Sequence, residues 1–190
     1  MKITSLSSNI TDLVFALHNQ DVIAYPTEAV FGLGCDPEKK YAVQALLKLK
    51  KRSWEKGFIL VAAHYTQLKK YINNEALNEA IKTRIFSSWP GPITWVIPAH
   101  PATPIWITGT HKSIAVRVSA FEPIQRLSLA FGKALISTSA NLTGQPPAMT
   151  AEEIREQFGT AFPVLEEAIA GQKKPSIILD ALSGKVIRNN

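Results

Sequence analysis

At 190 residues, with 46% apolar and 19% charged side chains, the chain is long enough to bury a core without disulfide or metal staples. No apolar run approaches the ~18 residues of a membrane span and "MKITSLSSNITDL" has no apolar signal core, so a spanning helix is excluded and a cytoplasmic protein is expected. Cysteine occurs once, at Cys35, which excludes an internal disulfide and a CxxC metal knuckle, while 21 Lys and Arg against 15 Asp and Glu leave a net charge of +6 that favours anionic partners such as nucleotides or RNA.

In chain order, "VIAYP" (Val22–Pro26) reads as a short buried strand, followed by a tight turn at Gly32 and Gly34 that lets backbone approach a ligand. Lone Cys35 reads as a small buried filler. "EKKYAVQALLKLKK" spaces Tyr41, Ala45, Leu46 and Leu49 on one helical face, and "FILVAA" (Phe58–Ala63) returns to strand. "NEALNEAIKTRIF" repeats the helical period with Leu77, Ile81 and Ile85. "ITWVIP" (Ile93–Pro98) is a strand whose Pro-rich continuation to Pro104 predicts an antiparallel neighbour. "IAVRV" (Ile114–Val118) and "ALIS" (Ala134–Ser137) are further strands, "TAEEIREQFG" is a helix opened by a Thr150/Glu153 capping box, and "SIILD" (Ser176–Asp180) is the last strand. Such alternation predicts an α/β fold, a twisted mixed parallel/antiparallel sheet flanked by helices.

Familiar phosphate loops are missing, because no G-x-x-x-x-G-K-[ST] occurs and Gly32-Leu33-Gly34 is not continued into a dinucleotide fingerprint. The four histidines share no metal-ligand spacing. Four polar stretches on strands remain. Pro26 and Thr27 end the first strand, as an ordinary turn or as a ligand contact. Lys50 and Arg52 follow the helical pattern, and an extended backbone there would aim both at one anion, with Lys56 near; a solvated helix face is the competing reading. Arg117 interrupts a buried strand and needs an internal carboxylate or a ligand anion. In "LISTSAN", Ser137, Ser139 and Asn141 alternate, so an extended backbone would present all three on one side, beyond the carboxyl end of a strand where α/β sheets bind ligands.

Together "YPTEAVFGLGCD", Lys50-x-Arg52 with Ser139-x-Asn141, "WPGPITWVI", "AVRV", "LISTSANLTGQPP" and "PSIILD" followed by "VIR" resemble the YrdC-like family of threonylcarbamoyl-AMP synthases, over Val22 to Arg188. The resemblance implies a single YrdC-like domain over residues 7–190 with a large, basic concave cavity. It implies conversion of L-threonine, bicarbonate or CO2 and ATP to threonylcarbamoyl-adenylate and pyrophosphate, with Mg²⁺ accompanying ATP. The product would serve threonylcarbamoyladenosine modification beside the anticodon of tRNAs reading codons that begin with A, through downstream threonylcarbamoyl-transfer proteins. It assigns Lys50, Arg52, Lys56, Ser113, Ser139 and Asn141 to ATP, with Lys50, Arg52, Ser139 and Asn141 as the catalytic set. Thr27, Arg117, Ser137 and Ser176 fall to threonine. The chain departs from the common family pattern at Phe31, Gly57-Phe58, Val61 and Ser119. Alternatives of another class are a non-catalytic tRNA or double-stranded RNA binding protein, and a handler of carbamoyl or acyl phosphates.

Overall fold

A computed structural model of the protein describes residues 9–172 and 174–188. Eight strands of these residues form one sheet: β1 (Ile23–Pro26), β2 (Phe31–Gly34), β3 (Ile59–Ala62), β4 (Ile93–Pro98), β5 (Ser113–Val118), β6 (Leu135–Ser139), β7 (Ile177–Asp180) and β8 (Val186–Arg188). Their spatial order is β1-β2-β6-β3-β5-β4-β7-β8. The β3–β5 and β4–β7 ladders are parallel and the rest antiparallel, including β4–β5 across the Pro-rich connection. The mixed sheet expected from the alternation is therefore present.

Among the described residues, seven α-helices surround it: α1 (Ile10–His18), α2 (Lys40–Lys50), α3 (Tyr65–Leu68), α4 (Glu79–Phe86), α5 (Ile105–Thr108), α6 (Glu122–Phe131) and α7 (Ala151–Phe158). α1 opens with a capping box in which Asn9 Oδ1 accepts from Asp12 N at 3.0 Å and Asn9 N donates to Asp12 Oδ2 at 3.3 Å. Leu13 and Leu17, one turn apart, are fully buried; each such leucine contributes roughly 1.5–3 kcal/mol. α6 carries a proline in its first turn, where no intrahelical N–H is lost, and ends on Gly132 at φ 76°. α4 is shorter than its sequence pattern, since residues 74–76 form a separate turn and Asn78 caps the helix by accepting from Ile81 N at 2.9 Å. At α7, Thr150 caps as expected, but the Glu153 carboxylate takes the Met149 N–H rather than that of Thr150.

Gly32 and Gly34 correct the sequence reading, for they lie inside β2 and the turn falls at 27–30, closed by Thr27 N to Val30 O at 3.0 Å. A Cβ on Gly34 would stand 2.5 Å from the Ile136 carbonyl and 2.7 Å from the Tyr25 ring, so glycine serves close strand packing there. Cys35 is buried in the core, and burial pushes its thiol pKa up.

Register assigns the two faces. Leu60, Val116, Trp95 and Ile136 belong to one large cluster with Ala42, Val43 and Leu46 of α2 and Ile85 of α4. The opposite face carries Val61, Leu135, Ile23 and Tyr25, which pack with Leu13 and Leu17 of α1 and Ile124 and Leu127 of α6. On this second face the row Ser137–Ile59–Ala115–Val96–Asp180 crosses five strands, and all five residues floor a cavity.

Candidate active site

The cavity has a volume of about 730 Å³ and holds eight of the ten residues expected at the site: Thr27, Arg52, Lys56, Ser113, Arg117, Ser137, Ser139 and Ser176. Alternation explains the strand members, because Ser113, Ala115 and Arg117 of β5, and Ser137 and Ser139 of β6, point to one face. Lys50 and Asn141 stand behind the wall.

Lys50 is not on an extended segment beside Arg52, as its spacing suggested, and it is not solvent-accessible. It is the last residue of α2, 6% exposed, and Lys51 turns the chain at φ 48°. Its ammonium donates to the Ser139 carbonyl at 2.6 Å, the Asn141 carbonyl at 3.0 Å and Asn141 Oδ1 at 3.2 Å. Burial, reinforced by the Arg52 charge, pulls its pKa down to about 8. Thr143 Oγ1 in turn donates to the Lys50 carbonyl. The three-residue alternation of Ser137, Ser139 and Asn141 also fails at its end. β6 stops at Ser139, Asn141 N turns back to the Ser139 carbonyl at 3.1 Å, and Ser139 Oγ donates to Asn141 Oδ1 at 2.7 Å.

Arg52 is half-buried on the cavity wall. Its Nη2 donates to the Gly57 carbonyl at 3.0 Å, and its guanidinium lies 5.4 Å from the centre of the Phe58 ring. Desolvation lowers its pKa; it has no carboxylate partner among the described residues, and its buried Nε has no hydrogen-bond partner there either. Gly57 (φ 59°) and Gly109 (φ 66°) meet back to back, where a Cβ on Gly109 would sit 2.2 Å from the Glu55 carbonyl and 2.6 Å from Gly57 N. This crossing fixes the carbonyl that holds Arg52.

Arg117, which needed an anion, has an internal one: its Nη1 lies 2.7 Å from Glu28 Oε2, both side chains being buried, while its Nε has no partner among the described residues. Glu28 Oε1 accepts from the buried Ser119 hydroxyl at 2.8 Å. Glu28 also faces the cavity and was missed in the sequence because its partner lies far away in the chain; Ser119 stood out only as a departure. Arg188 on β8 is a further wall cation, its pKa lowered by desolvation. The hydroxyls have local partners: Thr27 Oγ1 donates to the Val30 carbonyl at 2.6 Å, and Ser176 Oγ lies 2.9 Å from Thr94 Oγ1.

The family model Sua5/yciO/yrdC, described as telomere recombination, matches residues 16–190. Threonylcarbamoyl-AMP synthase of Sodalis glossinidius (strain morsitans) is 65% identical over 188 residues, covering 99% of each chain. The enzyme of the same name from Blochmanniella pennsylvanica (strain BPEN) is 58% identical over 182 residues, 96% of this chain and 94% of that one. Among solved structures, P. abyssi Sua5 complexed with L-threonine superposes with a TM-score of 0.82 at 26% identity, over 90% of this chain; the chain spans about half the length of that protein, 50%. With the family model running from Ala16 to the final residue, and the same sheet recurring in Sua5, the chain belongs to the Sua5/yciO/yrdC family.

Proposed function

We propose that the protein is a threonylcarbamoyl-AMP synthase, joining L-threonine, CO2 or bicarbonate and ATP into threonylcarbamoyl-adenylate with release of pyrophosphate. The observation that carries this reading is Arg52, a half-buried guanidinium on the cavity wall with no carboxylate partner among the described residues. A desolvated, uncompensated cation is costly until an anion arrives. Lys56 and Arg188 also line the cavity and have no ion-pair partner among the described residues, so the cavity suits a polyphosphate. The 65% identical relative of that name and the threonine complex of Sua5 agree with this assignment.

In this reading Arg52, Lys56, Ser113 and Ser139 hold ATP directly. Lys50 and Asn141 act one layer back, fixing the Ser139–Asn141 turn. Thr27, Arg117, Ser137 and Ser176 surround the amino acid. The threonine amine captures CO2 to give a carbamate, whose oxygen attacks the α-phosphorus and expels pyrophosphate. The protein contributes orientation and charge neutralisation and forms no covalent intermediate.

ATP is handled by most enzymes together with Mg²⁺, but the donor set here does not make a cage for it. Of the two wall carboxylates, Glu28 is engaged by Arg117 and Ser119, and Asp180 by Ser183, which lowers the Asp180 pKa. No group of three or more His, Cys, Asp or Glu suited to a metal occurs among the described residues. The triphosphate and water are left to supply the ion's ligands.

The single-domain organisation over residues 7–190 and delivery of the adenylate to tRNA-modifying proteins belong to the same proposal. No helix among the described residues is long and apolar enough to cross a membrane. The test is incubation of the purified chain with ATP, labelled bicarbonate and each amino acid, with mass-spectrometric identification of the adenylate. Labelled threonylcarbamoyl-adenylate is the expected product, and pyrophosphate release independent of amino acid overturns the proposal.

A further inference from the structure

We propose that Gln157 of α7 is a positioning residue for ATP: its carboxamide holds the 142–147 loop, and the loop in turn holds Ser139 and the end of α2 that leads to Arg52. This rests on the nucleotide chemistry proposed above and deepens it by naming a residue outside the cavity that shapes it.

The carboxamide meets main chain at both ends of the loop. Gln157 Oε1 accepts from Leu142 N at 3.1 Å, and Gln157 Nε2 donates to the Pro146 carbonyl at 3.2 Å. A donor and an acceptor on one side chain thus bridge the loop much as a neighbouring strand would. The loop has need of such a partner. Thr143 to Pro146 are exposed, Gly144 turns at φ 89°, and Pro146 and Pro147 bring no N–H of their own. α7 is a firm base for the grip, because Ile154, one turn before Gln157 on the same face, is fully buried.

Two chains of contact run from the loop to the cavity. In the first, Asn141 Nδ2 donates to the Leu142 and Gln145 carbonyls, each at 3.1 Å, while Asn141 Oδ1 accepts from Lys50 Nζ at 3.2 Å and from Ser139 Oγ at 2.7 Å. Both donors and both lone pairs are in use, so Asn141 has nothing left for a ligand and passes the loop's position on to Ser139. In the second, Thr143 Oγ1 donates to the Lys50 carbonyl, just before Arg52. Ser139, Arg52 and the loop's own Pro147 line the cavity, whereas Gln157 stands outside it. A loop loosened at its ends would therefore misplace two nucleotide contacts. Thr27 and Arg117 would stay in place, held by the Val30 carbonyl and by Glu28.

The test is calorimetric titration of the whole chain and of Gln157→Met, which keeps length and bulk but no amide, with ATP and separately with L-threonine, alongside amide hydrogen exchange. ATP should bind the variant roughly 3- to 30-fold more weakly, the range for one or two lost hydrogen bonds, while threonine binding and melting temperature hold. The Leu142 amide should exchange faster in the variant, and the Ile154 amide at the wild-type rate. Equal weakening of both ligands, or a large fall in melting temperature, would make Gln157 a general support and overturn the inference. So would unchanged ATP binding, or weaker ATP binding with the Leu142 amide still protected. If the wild type binds ATP and any of these results is found, this inference fails alone; if the wild type binds no ATP, the proposed function fails with it.

Discussion

Lys50 Nζ donates to the backbone carbonyl of Ser139 at 2.6 Å, tying the end of α2 to the end of β6 across 89 residues of sequence. The lysine grips main chain from behind the cavity, so its loss should be felt first as a loss of shape.

Lys50→Met should leave the Ser139 and Asn141 carbonyls short of a donor and lower unfolding free energy by about 1–3 kcal/mol. It should also change the pH dependence. The folded-state pKa of Lys50 is about 8, against an ordinary 10.5. Between those values the unfolded chain binds more protons at this position, so stability contributed here rises with pH across the window and is lowest below 8. Urea unfolding of both proteins at pH 7.5 and at pH 10 checks this: the wild type's advantage should grow, and a flat or shrinking difference refutes it.

Arg52→Ala should reduce ATP use by roughly 10- to 1000-fold, the range for losing a charge-assisted contact where charge moves in the transition state. Melting temperature should hold, because an uncompensated cation is removed. Phe58→Leu removes only the ring beneath the guanidinium, worth about 0.5–1 kcal/mol, and should raise the ATP KM two- to fivefold. Pyrophosphate release measured against ATP concentration separates the two.

Arg117→Met and Glu28→Gln should each destabilise by about 3–5 kcal/mol, since either strands a buried partner. The double variant should recover most of that loss while threonine-dependent pyrophosphate release stays absent. A double-mutant cycle with additive losses would mean that the two side chains are not coupled in solution.

Valine should be a poorer substrate than serine. Serine forgoes one methyl group, a loss of roughly 10- to 200-fold, whereas valine would face the hydroxyls of Thr27, Ser137 and Ser176 without an oxygen. Competing the two amino acids against threonine for adenylate formation gives the ranking directly.

Much of this arrangement could be read from local pattern. The strand alternation that put Ser137 and Ser139 on one side holds, and so does the antiparallel neighbour implied by the Pro-rich loop after Ile97. Other parts were illegible for physical reasons. β2 is spelled Phe-Gly-Leu-Gly, and its glycines signal a turn unless the Tyr25 ring packed above them is known. The apolar period ending at Leu49 marked the end of α2 to within a residue, but nothing local marked the burial of Lys50, whose carbonyl partners come from a strand formed much later in the chain. Glu28 reads as one more polar residue in a turn because its partner, Arg117, is brought to it by a strand formed much later in the chain.

The strand order also sets a timetable. β6 sits between β2 and β3 yet is made after β5, so the sheet's centre cannot close until residue 139 is available. β1 waits longer still for its outer neighbour, the segment at Pro163 to Leu165, which bonds to Ala24. Contacts this distant along the chain slow folding, and on the ribosome they leave the first half exposed while the second is being synthesised. During that interval Lys50 has no carbonyls to hold and Arg117 only a distant claim on Glu28. The nascent chain should therefore depend on chaperones until β6 emerges, and fragments ending before Ser139 should be proteolysed rather than accumulate.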